Sequence, residues 1–402
     1  MDVSELKSRV ISEIENHRDE LKELSLRIHA NPETAFQEEK ASTWLSDYLR
    51  EKGFSVEKGI YGLATAFRAG YGKGKPVIAL LAEYDALPKL GHACGHNIIA
   101  TSAVGAGIAA KLAVDEFGGT VQVMGTPGEE SGGGKVYMVK GGAFKSVDAA
   151  MMIHPAGLNT ATTKFLALQT LKVEFFGKPA HAAAKPEAGI NALEAMLMSY
   201  AGINSLRQHI RDSARIHGII TDGGDAPNIV PSHTAGHFIV RAVEDSYLEE
   251  LKVRVLNCFI GAATATGAKL KYKWGETRYA PLRSNFVLAR MFRKNLQSLG
   301  RRVHLVDPRI GIGSSDIGNV SQVIPSIHPL IAIDTARAVT HSPQFAKKAA
   351  SEAGMRGLFD AAKALAMTVV DLVADPAVLD KARKEFEQAK KSGKERRRFE
   401  GT

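Results

Sequence analysis

Four short apolar runs, each leading to a residue able to hold a metal ion, constrain this chain more than any other feature. Val77-Ile78-Ala79-Leu80-Leu81-Ala82 runs into Glu83-Tyr84-Asp85, and Gly91-His92-Ala93-Cys94-Gly95-His96-Asn97 follows closely. Thr120 to Gly125 leads to Glu129-Glu130, Asp148 to Ile153 leads to His154, and Leu330 to Ile333 leads through Thr340 to His341. Short uninterrupted apolar runs are the mark of strands buried on both faces of a parallel sheet. In such a sheet all the carboxyl ends share one edge, where ligands bind. The pattern therefore predicts an α/β fold that gathers Cys94, His96, Glu129, Glu130, His154 and His341 on one edge, although they span almost 250 residues. Ile98 to Val114, rich in small residues, reads as the helix after the first strand, with Asn97 placed as its cap.

From about Gln169 to Thr277 the texture changes. The order is strand (Thr170 to Phe176), helix (Ile190 to His209), strand (Arg215 to Thr221), strand (His233 to Arg241), helix (Tyr247 to Ala265) and strand (Lys269 to Trp274). This βαββαβ order is that of a ferredoxin-like split motif. We expect a domain at residues 169–280 inserted into a catalytic α/β domain, with its mainly parallel sheet flanked by helices, formed by residues 1–168 and 281–402.

A chain of 402 residues with 45% hydrophobic content can build both cores without disulfides. Only Cys94 and Cys258 are present, which suits a reducing compartment and leaves Cys94 available for chemistry. Met1 to Leu26 reads as one charged amphipathic helix without an apolar leader core, and no run approaches about 18 uninterrupted apolar residues. A cytoplasmic location without membrane insertion is expected. The net charge of +9 lies partly in a basic terminus that includes Lys390, Lys391, Lys394, Arg396, Arg397 and Arg398. No aromatic stacking platform accompanies it, so it reads as a solvated helix end and not a nucleic-acid surface. A modest attraction for anionic small substrates is the inference it supports.

Taken alone, Cys94-Gly95-His96 is a weak signal, because buried free cysteines are common. His154 and His341, taken singly, could each be a satisfied loop histidine. Glu129 and Glu130 sit among glycines, in Gly128-Glu129-Glu130-Ser131-Gly132-Gly133-Gly134, where side-chain cover is absent and a ligand can approach. Adjacent carboxylates suit a division of labour, one as ligand and one as general base beside a metal that lowers the pKa of water. Thiolate with imidazole favours zinc, while carboxylate admits manganese or cobalt. Five or so ligands exceed the needs of one tetrahedral ion, which predicts two divalent metal ions and hydrolytic chemistry.

These motifs resemble those of the aminoacylase and glutamate-carboxypeptidase superfamily, peptidase family M20. Glu83 to Pro88, Gly91 to Asn97, Pro127 to Glu130, Gly313-Ser314-Ser315-Asp316-Ile317-Gly318-Asn319-Val320-Ser321 and His341 to Phe345 are similar to the amidohydrolase branch. That branch includes p-aminobenzoyl-glutamate hydrolase subunits, auxin-conjugate hydrolases and the peptidase M20 domain-containing protein 2 group. The resemblance runs from about Ile28 to Phe345. It implies that Cys94, His96, Glu130, His154 and His341 are the metal ligands and that Glu129 is the general base. It also implies that His181 stabilises the oxyanion from the inserted lid and dimerisation domain, usually that of the partner copy in a homodimer. Asn228 and Arg241 match positions that hold a substrate carboxylate.

Two departures narrow the comparison. Peptidase relatives carry His-x-Asp where this chain has Glu83-Tyr84-Asp85, so their first ligand does not transfer, and Asp85 is assigned only an orienting role. The auxin-conjugate branch ends its cysteine motif in Asp, whereas this chain has Asn97, as in the p-aminobenzoyl-glutamate and dipeptidase groups. The expected activity is metal-dependent hydrolysis of the amide of an N-acyl amino acid, an aryl-glutamate or a small dipeptide. Its rivals are a catalytically inactive metal-bearing binding protein of the same fold and a hydrolase with Cys94 as nucleophile.

Overall fold

The computed structural model describes residues 2–306, 313–334 and 339–399. The side chains of the basic terminus from residue 392 onward lie outside the described residues. The chain divides into two compact units, Met1–Lys164 with Leu282–Thr402, and Phe165–Pro281. Its strands in chain order are β1 (Ser55–Lys58), β2 (Phe67–Lys73), β3 (Val77–Ala82), β4 (Gly119–Gly125), β5 (Ala149–Met151), β6 (His154–Ala156), β7 (Ala167–Phe176), β8 (Arg215–Asp222), β9 (His233–Ala242), β10 (Lys269–Tyr279), β11 (Ser326–Ile327) and β12 (Leu330–Ala332).

In the first unit a six-stranded sheet has the order β1-β2-β4-β3-β5-β11. The neighbours from β4 to β11 are parallel, and β2 and β1 add an antiparallel edge. Every residue of β3 is buried, as its unbroken apolar run requires. Ala82 pairs with Gly125 and Leu80 with Met151, so the carboxyl ends of β3, β4 and β5 lie together. The helix His96–Phe117 crosses the sheet and packs on Glu352–Ala374 and Val3–Asn16. It is long and apolar enough to span a membrane, yet 89% of its most apolar window is buried in the protein, which makes it a core helix. Alanine and glycine let it be surrounded. Gly105 faces Leu21 and Ala362, and Gly107 lies against Val123 of β4.

Three details depart from the sequence expectations. The N-terminal segment forms two helices, Val3–Asn16 and Arg18–Ala30, broken at His17. The break lets Leu6, Val10 and Ile14 as well as Leu21, Leu24 and Ile28 be buried, and no proline or glycine marks it. Asn97 is not a cap: the helix begins at His96 after Gly95, and Asn97 Nδ2 instead donates to Ser25 Oγ at 3.0 Å and the Ala349 carbonyl at 3.3 Å. A small left-handed glycine makes the tight entry, which frees the amide for tertiary bonds. Finally, Leu330–Ala332 does not join the main sheet but pairs with β6 in a separate two-stranded parallel sheet, and β11 takes the expected place. Pro329 separates β11 from β12; lacking an N–H, it cannot continue the ladder.

The second unit has βαββαβ order and an antiparallel sheet β10-β7-β9-β8. Helices Ala192–Arg207 and Asp245–Thr266 pack together and on β9. Met196, Ile203, Leu251, Val255 and Phe259 fill its core with Phe238 and Val240 of β9, whose burial alternates with period two.

A methyl group added at Gly107 would fall against Val123 Cγ2 inside van der Waals distance. We expect Gly107→Ala to lower stability by about 1–3 kcal/mol. A urea midpoint shifted down at unchanged slope checks this, and an unshifted midpoint refutes it.

Candidate metal centre

The site is assembled from strand ends and one helix start. Glu83 and Asp85 follow β3, Glu129 and Glu130 follow β4, His154 begins β6, and His96 opens the long helix. Gly95 makes this convergence possible. Its φ of 76° is left-handed, and a Cβ there would lie 2.9 Å from Pro155 Cγ, so only glycine lets the cysteine loop approach the His154 strand.

Asp85 organises two of these pieces. Its Oδ1 accepts from His96 Nδ1–H at 3.1 Å and its Oδ2 accepts from the Glu130 amide at 2.9 Å. This bond engages His96 Nδ1 and turns its Nε2 towards Glu83 Oε2 at 3.6 Å and Glu130 Oε1 at 3.8 Å. His154 is oriented the same way by its Nδ1–H, which donates to the Pro155 carbonyl at 2.8 Å, and its Nε2 lies 3.3 Å from Cys94 Sγ. His341 Nε2 stands 3.4 Å from Glu130 Oε2, and its amide donates to the Ala93 carbonyl at 2.9 Å. Its φ of 64° is a left-handed conformation that histidine tolerates better than most residues.

Candidate ligand atoms therefore fall into three overlapping groups: Cys94, His96 and His154; Cys94, Glu130 and His341; His96, Glu129 and Glu130, each within 4.8 Å. All six strand-edge residues singled out from the sequence converge. The side chains of Glu83, Asp85, Asp316 and Glu130 are at most 7% exposed, and Lys135 is the lysine buried among them. Four carboxylates against Lys135 and the raised His96 imidazole leave an excess of negative charge that is costly to bury. Divalent cations fit that excess, and His96 Nε2 and Glu130 Oε1, buried without a hydrogen bond among the described residues, fit as their ligands.

The titration behaviour has the same origin. Burial opposes it, but the Asp85 carboxylate holds the His96 imidazole well above its ordinary value. Burial, then the carboxylates of Glu83, Glu130 and Asp316, push the Glu129 carboxyl well up. Burial, reinforced by Glu130, does the same to the Cys94 thiol. The His341 imidazole is raised by its bond to Glu130.

In the second unit, His181 Nδ1 accepts from the amides of Ala183 and Ala184 at 3.3 and 3.2 Å, which leaves the proton on an exposed Nε2. The Ala182 amide donates to the Asn228 carbonyl at 3.0 Å, so His181 and Asn228 are neighbours. Their loops leave the end of the sheet where Phe176 pairs with His233, whereas Arg241 pairs with Leu168 at the opposite end. Asn228 and Arg241 therefore do not form one carboxylate clamp within a single chain. The ten-residue register of β9 sets them apart, and a motif match carries no register. Burial pulls the Arg241 guanidinium below its ordinary value.

The sequence motifs gave no role to three buried residues here, Glu83, Lys135 and His328. Glu83 and Lys135 lie beside His96 and Asp316, and His328 stacks on His154 with ring centroids 5.4 Å apart. Glu83 and His328 both follow strand ends, the very signal that singled out the others; Lys135 carried none.

Residues 79–364 match peptidase family M20/M25/M40. The chain is 36% identical to the Xaa-Arg dipeptidase of Mus musculus over 397 residues, covering 95% of this chain and 92% of that protein. It is 31% identical to a p-aminobenzoyl-glutamate hydrolase subunit of Escherichia coli (strain K12), covering 93% of each. The chain belongs to peptidase family M20/M25/M40. It is accordingly a hydrolase of peptide or amide bonds. Its fold is shared with the Bacillus subtilis YXEP protein, a dinuclear metal binding peptidase of the M20 family, at a TM-score of 0.69 and 19% identity over 90% of this chain and 99% of that one.

The M20 site is braced from beneath by Glu38. Its Oε1 accepts from the Gly128 amide at 2.8 Å and its Oε2 from Thr65 Oγ1 at 3.0 Å, which anchors the turn carrying Glu129 and Glu130. Burial, with repulsion from Asp85, pushes its carboxyl up to about 7 from 4.5. A folded-state value above the unfolded one stabilises the protein fully below pH 4.5 and loses that contribution as pH rises through about 7. Glu38→Gln keeps the acceptor oxygen and removes the ionisation. It should abolish a fall of up to roughly 3 kcal/mol in metal-free stability between about pH 5 and pH 8. Urea unfolding across that range measures it, and identical pH profiles for parent and variant would falsify the assignment.

Proposed function

We propose that this chain is a metal-dependent amidohydrolase that cleaves a small dipeptide or N-acyl amino acid bearing a free carboxylate, aryl-glutamates included. The convergence of Cys94, His96, Glu130, His154 and His341 around an excess of buried negative charge, with Glu129 adjacent, carries this reading. These five residues would hold two divalent ions of zinc, manganese or cobalt. Such ions supply a water of lowered pKa and polarise a carbonyl. The dipeptidase and aminobenzoyl-glutamate hydrolase relatives support an amide substrate.

Each protein group then has a defined task. Glu129, which neighbouring cations would hold ionised, takes the proton of the attacking water and returns it to the leaving amine. His181 Nε2–H donates to the carbonyl oxygen as negative charge develops on it, its tautomer already set by two backbone amides. Asn228, beside His181, holds the substrate's carboxylate. Arg241, at the other end of the sheet, would meet a carboxylate separately from Asn228. Asp85 keeps His96 and the Glu130 backbone in place.

A homodimer is part of this proposal. Strand β8 is a sheet edge with Ile219 62% and Ile220 37% exposed, and an apolar edge strand favours pairing with a second copy. We place the protein in the cytoplasm on the strength of its two unpaired cysteines. A cysteine nucleophile is disfavoured because Cys94 Sγ lies among the candidate ligand atoms, in two of their three groups, where a bound ion would occupy it. A binding protein without turnover has no use for Glu129 beside the ligands.

Protein loaded separately with zinc, manganese and cobalt should hydrolyse members of a dipeptide and acyl-amino-acid panel. Glu129→Gln should lose about 100-fold or more in kcat while retaining its metal. Full turnover by this variant would remove Glu129 from the mechanism, and binding without turnover across the panel would favour the binding protein. Exhaustive chelation should abolish activity. Activity that survives chelation but is lost on thiol alkylation would point to Cys94 instead.

A further inference from the structure

The Glu83 carboxylate is held in a way that the reading above does not use. It is 1% exposed, immediately after β3. Lys135 Nζ lies 2.5 Å from its Oε1 and 2.7 Å from Asp316 Oδ1, while Asp316 Oδ2 accepts from the Lys135 amide at 2.9 Å. Both partners are wholly buried. Asp316 therefore fixes the lysine through backbone and side chain together, and the lysine fixes one oxygen of Glu83. The other oxygen, Oε2, has no hydrogen bond among the described residues and faces His96 Nε2 at 3.6 Å. That nitrogen also lacks one, its Nδ1–H being engaged by Asp85.

A separation of 3.6 Å is too long for a hydrogen bond. Two buried polar atoms left without hydrogen bonds across such a gap are costly, and a cation between them, displacing any proton on the imidazole, would be held by both. Atoms bound at about 2.1 Å to one tetrahedral ion stand roughly 3.4 Å apart, close to what is seen here. Glu83 Oε1 is in ion-pair contact with Lys135 Nζ, and neither Glu83 oxygen has a hydrogen bond among the described residues.

We propose that Glu83 is an oxygen ligand of the metal centre on the His96 side, with Lys135 and Asp316 as the positioning pair that limits it to one oxygen. The proposal rests on the metal-centre reading above.

Calorimetric titration of metal-free full-length protein with zinc, together with the visible spectrum of the cobalt form, tests it. The parent should take up two ions. Glu83→Gln preserves shape and can still accept from Lys135. It should weaken one of the two ions by about 10- to 100-fold and shift the cobalt bands. Lys135→Met should shift those bands while both ions still bind, because the freed Oε1 changes the coordination. A folded Glu83→Gln protein with parental affinity, stoichiometry and spectrum overturns the proposal alone; a parent that binds no ion overturns the metal-centre reading beneath it. Should the variants fail to fold, a zinc-loaded crystal structure of the parent decides. Glu83 Oε2 at about 2.0–2.2 Å from an ion supports the proposal, and Glu83 beyond about 3 Å from every ion rejects it.

Discussion

Asp85 accepts two hydrogen bonds, and the arrangement of the whole site edge depends on them. One comes from the His96 ring and the other from the Glu130 backbone, so a single buried carboxylate ties the start of the long helix to the turn after β4. Each bond also directs the group that donates it. His96 Nε2 is turned towards Glu83 and Glu130, and Glu130 is placed between His96 and His341. Removing Asp85 would therefore do more than weaken one contact: it would release two elements whose side chains must meet.

Around that anchor the protein concentrates more negative charge than its own cations balance. Lys135 is shared by Glu83 and Asp316, and His96 and His341 face further carboxylates. Burial makes such an excess expensive, and a divalent cation relieves it at the geometry already present. In the second unit, His181 Nδ1 is occupied by two backbone amides, and the residue is exposed.

Much of the fold could be read directly. The run Val77–Ala82 is a strand with those same ends, because a segment buried on both faces admits no polar residue. The βαββαβ order was equally plain, and β9 shows the period-two burial of a half-buried strand. The break at His17 was not, because tertiary burial of two apolar stripes produced it without a breaker residue. Asn97 looked like a cap by residue type, yet Gly95 turned the chain and Asn97 was drawn into bonds with segments far away in sequence. Local propensity yields to such partners when they are buried.

The sequence by itself determined which chemistry is possible here: a cysteine, histidines and carboxylates following short apolar strands. That much follows from periodicity and from the geometry of parallel sheets. Only the tertiary structure decided which atoms face each other. It turned His96 by means of Asp85, clamped Glu83 through Lys135, and separated Arg241 from Asn228 by the length of a strand. Ring tautomers, shared ammonium groups and strand register depend on partners distant in sequence, and no local pattern encodes them.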